Sequence, residues 1–367
     1  MIHGRFNTMN TTININTYCP DFTGMISNHI SNYTHLYDSN DFIKACGNGH
    51  LEDVKMLLDL DKDRRIDIHA EKEMAFREAC RKGHTEIVKL LLELDGDRRI
   101  DVHAMYDYGF FTACSLGHIE VVKLLLELDG DRRIDIYGSH NAFIRACEST
   151  NIDILKLILD LEGDRRADVH VGNECGFRHA CSLGRTKTVK FLLELDGDRR
   201  IDVHASGRPH IAMKSLGNGC SETLNVTGDG FSTACHNGFS KIVKLLLELE
   251  GDRRIDVHRE DEEAFRLACR AKDLQVVKLL LELDGDRRIN VHAKNEDAFR
   301  AACAYGHTEL VKLLLELDGD RRIDVHAEDD DAFRLAHKCG NDTIVKLLLR
   351  LDGDRYIYLQ NTPGFHV

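Results

Sequence analysis

The chain has 367 residues, 43% hydrophobic and 30% charged, with three Pro, no Trp and a formal net charge of −13. That balance excludes a general nucleic-acid binder, which needs a basic face to displace counterions from phosphate. Lys or Glu interrupts every Leu-rich segment, so no apolar run reaches membrane-spanning length, and Met1-Ile2-His3-Gly4-Arg5-Phe6 lacks the apolar stretch of a secretory signal. A cytoplasmic protein with neither nucleic-acid nor membrane partner is expected.

Residues 1–38 are rich in Asn, Thr, His and Ile and show little periodicity, which reads as an N-terminal arm or an irregular cap. From about Asn40 a repeat begins. The triplet Asp-Arg-Arg starts at Asp63, Asp97, Asp131, Asp164, Asp198, Asp252, Asp286 and Asp320, with a worn copy at Asp354-Arg355-Tyr356. Cys46, Cys80, Cys114, Cys147, Cys181, Cys235, Cys269 and Cys303 are spaced 34, 34, 33, 34, 54, 34 and 34 residues apart, and one more step of 34 lands on His337. Four residues before each anchor stands a Phe, from Phe42 to Phe333, in all nine copies. A fixed period of this length marks a repeat array in which each unit contacts mainly its neighbours.

Within a unit, Phe76, Ala79 and Cys80 fall at i, i+3 and i+4, one face of a short helix. Gly83-His84 ends it. Ile87, Val88, Leu90, Leu91, Leu92 and Leu94 then make the apolar stripe of a second helix, with Glu86 in its first turn and Gly96 as its C′ residue. An extended connection carrying Ile100 and Val102 leads to the next unit.

The run Gly83-His84-Thr85-Glu86-Ile87-Val88-Lys89-Leu90-Leu91-Leu92 resembles the second half of an ankyrin repeat and recurs at 117–126 and 306–315; Asp-Val-His-Ala is similar to the ankyrin loop. The first helices depart from the family's Thr-Pro-Leu-His signature. Forms such as Met74-Ala75-Phe76-Arg77 look most like the ankyrin proteins of large DNA viruses. The resemblance implies an all-α, ankyrin-like solenoid of nine stacked helix-turn-helix repeats with extended loops over residues 39–358, its β-hairpin fingers shortened or replaced by tight turns. Residues 206–228, rich in Gly, Asn and Ser, insert 20 residues as a loop between the fifth and sixth units, and 359–367 form a short tail.

Chemistry has few footholds. Cys-x-x-x-His occurs in four units but offers two ligands each where zinc needs four, and the in-register Cys sit farther apart than a disulfide allows. His69, His103, His170, His204, His258, His292 and His326 form a ladder that spreads along the array, so they read as loop residues bonding backbone groups. The Asp-Arg-Arg triplets read as Arg–carboxylate ladders between units. No nucleophile–base–orienter set and no phosphate loop stand out, and the sequence assigns no catalytic, cofactor or metal residue.

Specificity is expected where the copies differ, in the stretch before each first helix and on that helix's outward face. Tyr106, Tyr108 and Phe111 form a candidate exposed aromatic patch. Glu260, Asp261, Glu262, Glu296, Asp297, Asp329 and Asp330 form an acidic strip suited to a basic protein partner. The reading is a monomeric protein–protein interaction scaffold or adaptor, with a structural or decoy array lacking a dedicated partner as the alternative.

Overall fold

The computed structural model describes residues 37–357, apart from 62–65, 139–140, 217–219 and 272; of 208–227 it describes the backbone. The expected N-terminal arm and C-terminal tail therefore lie almost wholly outside the described residues. The helices come in pairs: α1 (Ser39–Asn48) and α2 (Leu51–Asp61), α3 (Ala70–Lys82) and α4 (Thr85–Leu92), α5 (Ala104–Leu116) and α6 (Ile119–Leu126), α7 (Ala142–Glu148) and α8 (Ile152–Leu159), α9 (Val171–Ser182) and α10 (Thr186–Leu193). After a two-stranded ribbon, β1 (Ser206–Leu216) and β2 (Cys220–Asp229), follow α11 (Gly230–His236) and α12 (Ser240–Leu247), α13 (Arg259–Arg270) and α14 (Leu274–Leu281), α15 (Ala293–Ala304) and α16 (Thr308–Leu315), and α17 (Ala327–Lys338) and α18 (Asp342–Leu348). The fold is an all-α, ankyrin-like solenoid. Two compact units compose it, Met1–Ala79 with Glu86–Ile100 and Cys80–Thr85 with Asp101–Val367.

The periodic residues make the core. All nine Phe are at most 3% exposed and the eight anchor Cys are fully buried. Burial pushes the thiols up, that of Cys46 to about 12, so they are inert apolar fillers. At the ninth anchor position His337 is exposed, with no further helix pair following among the described residues. The stripes of the second helices, such as Val121, Val122 and Leu125, are fully or almost fully buried, as are Ile134 and Ile136 in the connection that follows.

Two expectations change. The long helix ends at Leu92, not beside Gly96; Gly96 opens a 3₁₀ turn, Gly96–Arg98, at φ +60°. The glycine that closes a helix is the earlier one, such as Gly306 (φ +77°), whose Cβ would also lie 2.7 Å from Asn341 of the next pair. The insertion is an antiparallel ribbon rather than a loop. Its register pairs Ser206 with Asp229 and Leu216 with Cys220, around the turn chemistry of Gly217-Asn218-Gly219.

Polar contacts between consecutive pairs explain the repeated triplet. Its first Arg caps the long helix of the preceding pair: Arg287 donates to Leu247 O and Arg321 to Leu281 O, both at 2.9 Å. Its second Arg meets the Asp of the following triplet, bidentate at 2.7 Å and 2.7 Å in Arg133–Asp164, and likewise in Arg254–Asp286 and Arg322–Asp354. Both roles were open to the sequence, but the capping role was not foreseen.

The histidine ladder is the tighter coupling. In His69, His103, His170, His258, His292 and His326, Nδ1 donates to the acid four residues later at 2.6–2.7 Å. Nε2 donates to a backbone carbonyl in the next connection at 2.8–3.0 Å. With acceptors at both nitrogens, each ring carries two protons and is cationic. In His69, His103, His292 and His326 partial burial opposes the charge, but the carboxylate and carbonyl outweigh it; in His170 and His258 the carboxylate hydrogen bond dominates. All six pKa values are raised.

Below the ordinary histidine value of about 6.5 the rings are charged in folded and unfolded chain alike, and the contribution is fully present. It is lost as pH rises through the raised folded values. The urea midpoint should therefore fall as pH increases above about 6.5, and the triple variant His258→Gln, His292→Gln, His326→Gln should show a smaller fall. An equal pH dependence in the variant would contradict the ladder's role.

Candidate functional site

The acids that hold the ladder also set the geometry before each first helix. Residues 71–73, 105–107, 172–174, 260–262, 294–296 and 328–330 each form a left-handed turn, with φ between +51° and +62° at all three residues. Such a conformation costs about 1–2 kcal/mol per non-glycine residue, so something must hold it. The third residue does, through its carboxylate on the histidine. The arginine four residues further on does too: Arg77 donates to the carbonyls of Lys72 and Glu71 at 2.8 Å, and Arg266 to those of Asp261 and Glu260 at 2.9 Å. The pattern His-x-x-x-acid-x-x-x-Arg is visible in the sequence at His69/Glu73/Arg77, His258/Glu262/Arg266, His292/Glu296/Arg300 and His326/Asp330/Arg334. It was the signal for these turns.

The turns sort the candidate residues. Their first two positions point outward: Met105 (43%) and Tyr106 (76%) are exposed, as are Glu260, Asp261, Lys294, Asn295, Glu328 and Asp329. The third position is taken. Glu262 and Glu296 are 3% and 2% exposed; each serves its own histidine and accepts a backbone N–H of the next pair, Asn290 at 3.1 Å and Asp324 at 3.0 Å. Asp330 is held by His326 at 2.6 Å. These three are thus not the free acids that the sequence suggested.

Asp297 is half-buried between Arg266 (3.2 Å) and Arg270 (2.9 Å). The acid that remains on the surface is Glu260, Asp261, Glu328 and Asp329, with Lys294 3.6 Å from Asp261 and Asn295 donating to Glu328.

Phe111 also departs from expectation. It occupies the position of the clamping arginine and is 2% exposed, packed edge-on against Phe110 with ring centroids 5.3 Å apart. Its ring tip reaches Gly138 of the next connection, where an added Cβ would lie 3.6 Å from Phe111 Cζ. Tyr106 and Tyr108 remain at the surface, and Met105, which the sequence reading passed over, joins them. Ser139 and His140, in the corresponding stretch of the next unit, lie outside the described residues.

The ribbon replaces one such turn, and its base is fastened. Arg259 donates to Asp229 Oδ2 at 2.9 Å, Ser206 Oγ at 3.2 Å and His204 O at 3.4 Å. Asp229 also caps α11 through Ser232 N at 2.7 Å. Across the base, Gly207 lies against the fully buried Arg178, whose guanidinium a Cβ would overlap.

One grouping suggests chemistry. His179 donates from Nδ1 to Glu148 at 2.7 Å, and Cys175 precedes it by one helical turn. Burial works against its charge, but Cys175 and Glu148 hold His179 protonated, pushed up to about 9. The three residues are 3–6% exposed, and Arg145 completes the network at 2.9 Å from Glu148. The grouping is buried away from solvent. It joins α7 to α9. The Cys-x-x-x-His histidines have likewise been spent on structure: His118 and His307 donate to Arg81 O and Arg270 O, both at 2.9 Å. Among the described residues no group of three or more His, Cys, Asp or Glu is placed to hold a metal ion, and no helix is long and apolar enough to cross a membrane.

Residues 265–357 match the family model for ankyrin repeats, in three copies. No curated protein matches the chain.

Because the outward turn positions carry left-handed backbone without a steric need for their side chains, Asp261→Gly and Asn295→Gly should each raise stability by up to about 1 kcal/mol in urea unfolding. Destabilisation by both would show that the turns are not strained as argued.

Proposed function

We propose that the chain is an ankyrin repeat protein that acts as a scaffold or adaptor, binding a protein partner through the outward turn positions and the adjoining faces of the first helices. Ankyrin repeats are in general protein–protein interaction modules. One observation supports the reading for this chain: each left-handed turn bonds its third residue to the ladder histidine, while its first two residues are exposed and vary, as Glu-Lys, Met-Tyr, Gly-Asn, Lys-Asn and twice Glu-Asp. Backbone strain maintained under variable side chains serves presentation rather than packing.

Met105, Tyr106 and Tyr108 supply an aromatic anchor of the kind that dominates interfaces. Glu260, Asp261, Glu328 and Asp329 supply acid for a basic region of the same partner, and would speed association at low salt. The same proposal takes the protein to act as a monomer in the cytoplasm, that of the host cell if the chain is viral like the proteins its first helices resemble.

Cross-linking in cells identifies the partner. With that partner, Tyr106→Ala/Tyr108→Ala should lose about tenfold or more in affinity. Reversal of Glu260, Asp261, Glu328 and Asp329 to Lys should slow association and reduce its salt dependence. Unchanged binding in both variants would remove the turn surface from the interaction, and an array without a dedicated partner would yield no specific cross-link.

A further inference from the structure

The second helices follow a charge rule of their own. An acid in the first turn pairs with a Lys three residues later: Glu52–Lys55 (2.7 Å), Glu86–Lys89 (2.9 Å), Glu120–Lys123 (2.9 Å), Asp153–Lys156 (3.4 Å) and Glu309–Lys312 (2.7 Å). Four helices break it, the terminal α18, where Thr343 takes the acid's place, and three consecutive ones. In α10 the acid is Lys187, beside Lys190; in α12 it is Lys241, beside Lys244; in α14 it is Gln275, leaving Lys278 alone. None of the three has an acid in its first turn. All five lysines are exposed, and among the described residues no carboxylate pairs with them.

The exchange runs against local stability. Lys187 and Lys241 stand at the positive end of their helix dipoles, and each repels a second Lys on the same face. Among the described residues the nearby acid is Asp273, which caps α14 and lies against Gly238 just before α12, without pairing with any of the five lysines. Consecutive second helices pack as neighbours, α10 on α12 and α12 on α14, at a spacing of roughly 8–10 Å. The five lysines thus form one basic grid on a chain whose net charge is −13.

We propose that this grid is a docking surface for a short acidic segment of another protein, laid across α10, α12 and α14. Glu194, Glu248 and Glu282 are exposed at the far ends of the same helices and bound the grid on that side. A long polyanion or a flat anionic membrane would meet that acidic border and the chain's overall negative field; a short extended segment would not. At about 3.3 Å per residue an extended strand spans one helix spacing in about three residues, so acids at about every third position match the rows. This surface lies on the second helices, apart from the turn positions, and does not depend on them.

The test uses the full chain and a labelled oligoglutamate peptide of about twelve residues, long enough to cross three rows, in fluorescence anisotropy. Saturable binding that weakens with salt is expected, with a loss of about tenfold or more in Lys187→Glu/Lys241→Glu. The same variant rebuilds the acid–Lys pairs of the other helices, so its urea midpoint should equal or exceed that of the parent. Tyr106→Ala/Tyr108→Ala should bind the peptide unchanged, which separates this surface from the turns. Absence of peptide binding, or equal binding by the Lys→Glu variant, overturns the proposal. Binding to phosphatidylserine vesicles without binding to the peptide also overturns it, in favour of a membrane.

Discussion

The structure depends on how one helix pair is joined to the next, because neither helix of a pair can bury its apolar face alone. Apolar stacking supplies most of the free energy, but it does not fix register. The buried acid of each left-handed turn does. Glu262 takes a proton-bearing nitrogen of His258 from its own unit and the N–H of Asn290 from the following one, while His258 reaches Asp286 O. A single carboxylate–imidazolium pair thus ties the turn of one unit to the connection that leads into the next. The Arg–Asp pairs at the edge are bidentate yet exposed, and exposed pairs contribute about 0–1 kcal/mol each. The more consequential arginine of each triplet is the first one, which caps a helix end in the preceding unit.

This coupling leaves little freedom. The ladder histidine and the acid are committed in every unit that has the left-handed turn, the arginine in five of the six with Phe111 in its place in the other, and the Phe and Cys positions are committed to the core. What remains are two turn residues, part of the first-helix face, and the solvent side of the second helix. Among the described residues these positions can change at least cost to the stacking, and the proposed recognition surfaces use them.

Much of this was legible in the sequence. The Phe and Cys anchors stated the period, the Gly-His-Thr-Glu run stated the paired helices, and the ladder histidines were read correctly as backbone-bonding. The left-handed turns were not read, since sequence rules look for Gly or Asn at positive φ and here the positions hold Glu, Lys, Tyr and Asp. The stabilising pattern steps through His, acid and Arg over nine residues, and the backbone groups that complete it stand in the following connection. For the same reason Glu262, Glu296 and Asp330 looked like free surface acid. Phe111 looked exposed because it falls at a position that elsewhere holds an arginine. The ribbon was hidden by its composition: its Gly, Asn and Ser suggested a loop, although apolar residues alternate on either side of Gly217-Asn218-Gly219.

Departures from the repeat can be sorted by whether the fold compensates them. Tyr137 replaces a ladder histidine, and its hydroxyl donates to Arg166 O. The ribbon displaces a turn, and Arg259, at a position held by Ala in several other units, fastens its base. Phe111 replaces an arginine clamp and packs against Phe110, its ring tip reaching Gly138 of the next connection. Each of these changes comes with a contact that restores what was lost, so packing alone accounts for it. Tyr106 and the lysines of α10 and α12 have no such counterpart: the tyrosine projects from a strained turn into solvent, and the lysines forfeit an ion pair and oppose a helix dipole. Departures from a favourable repeat that the fold does not compensate are where a functional constraint is expected, and for exposed aromatic and cationic groups the constraint proposed above is contact with another molecule.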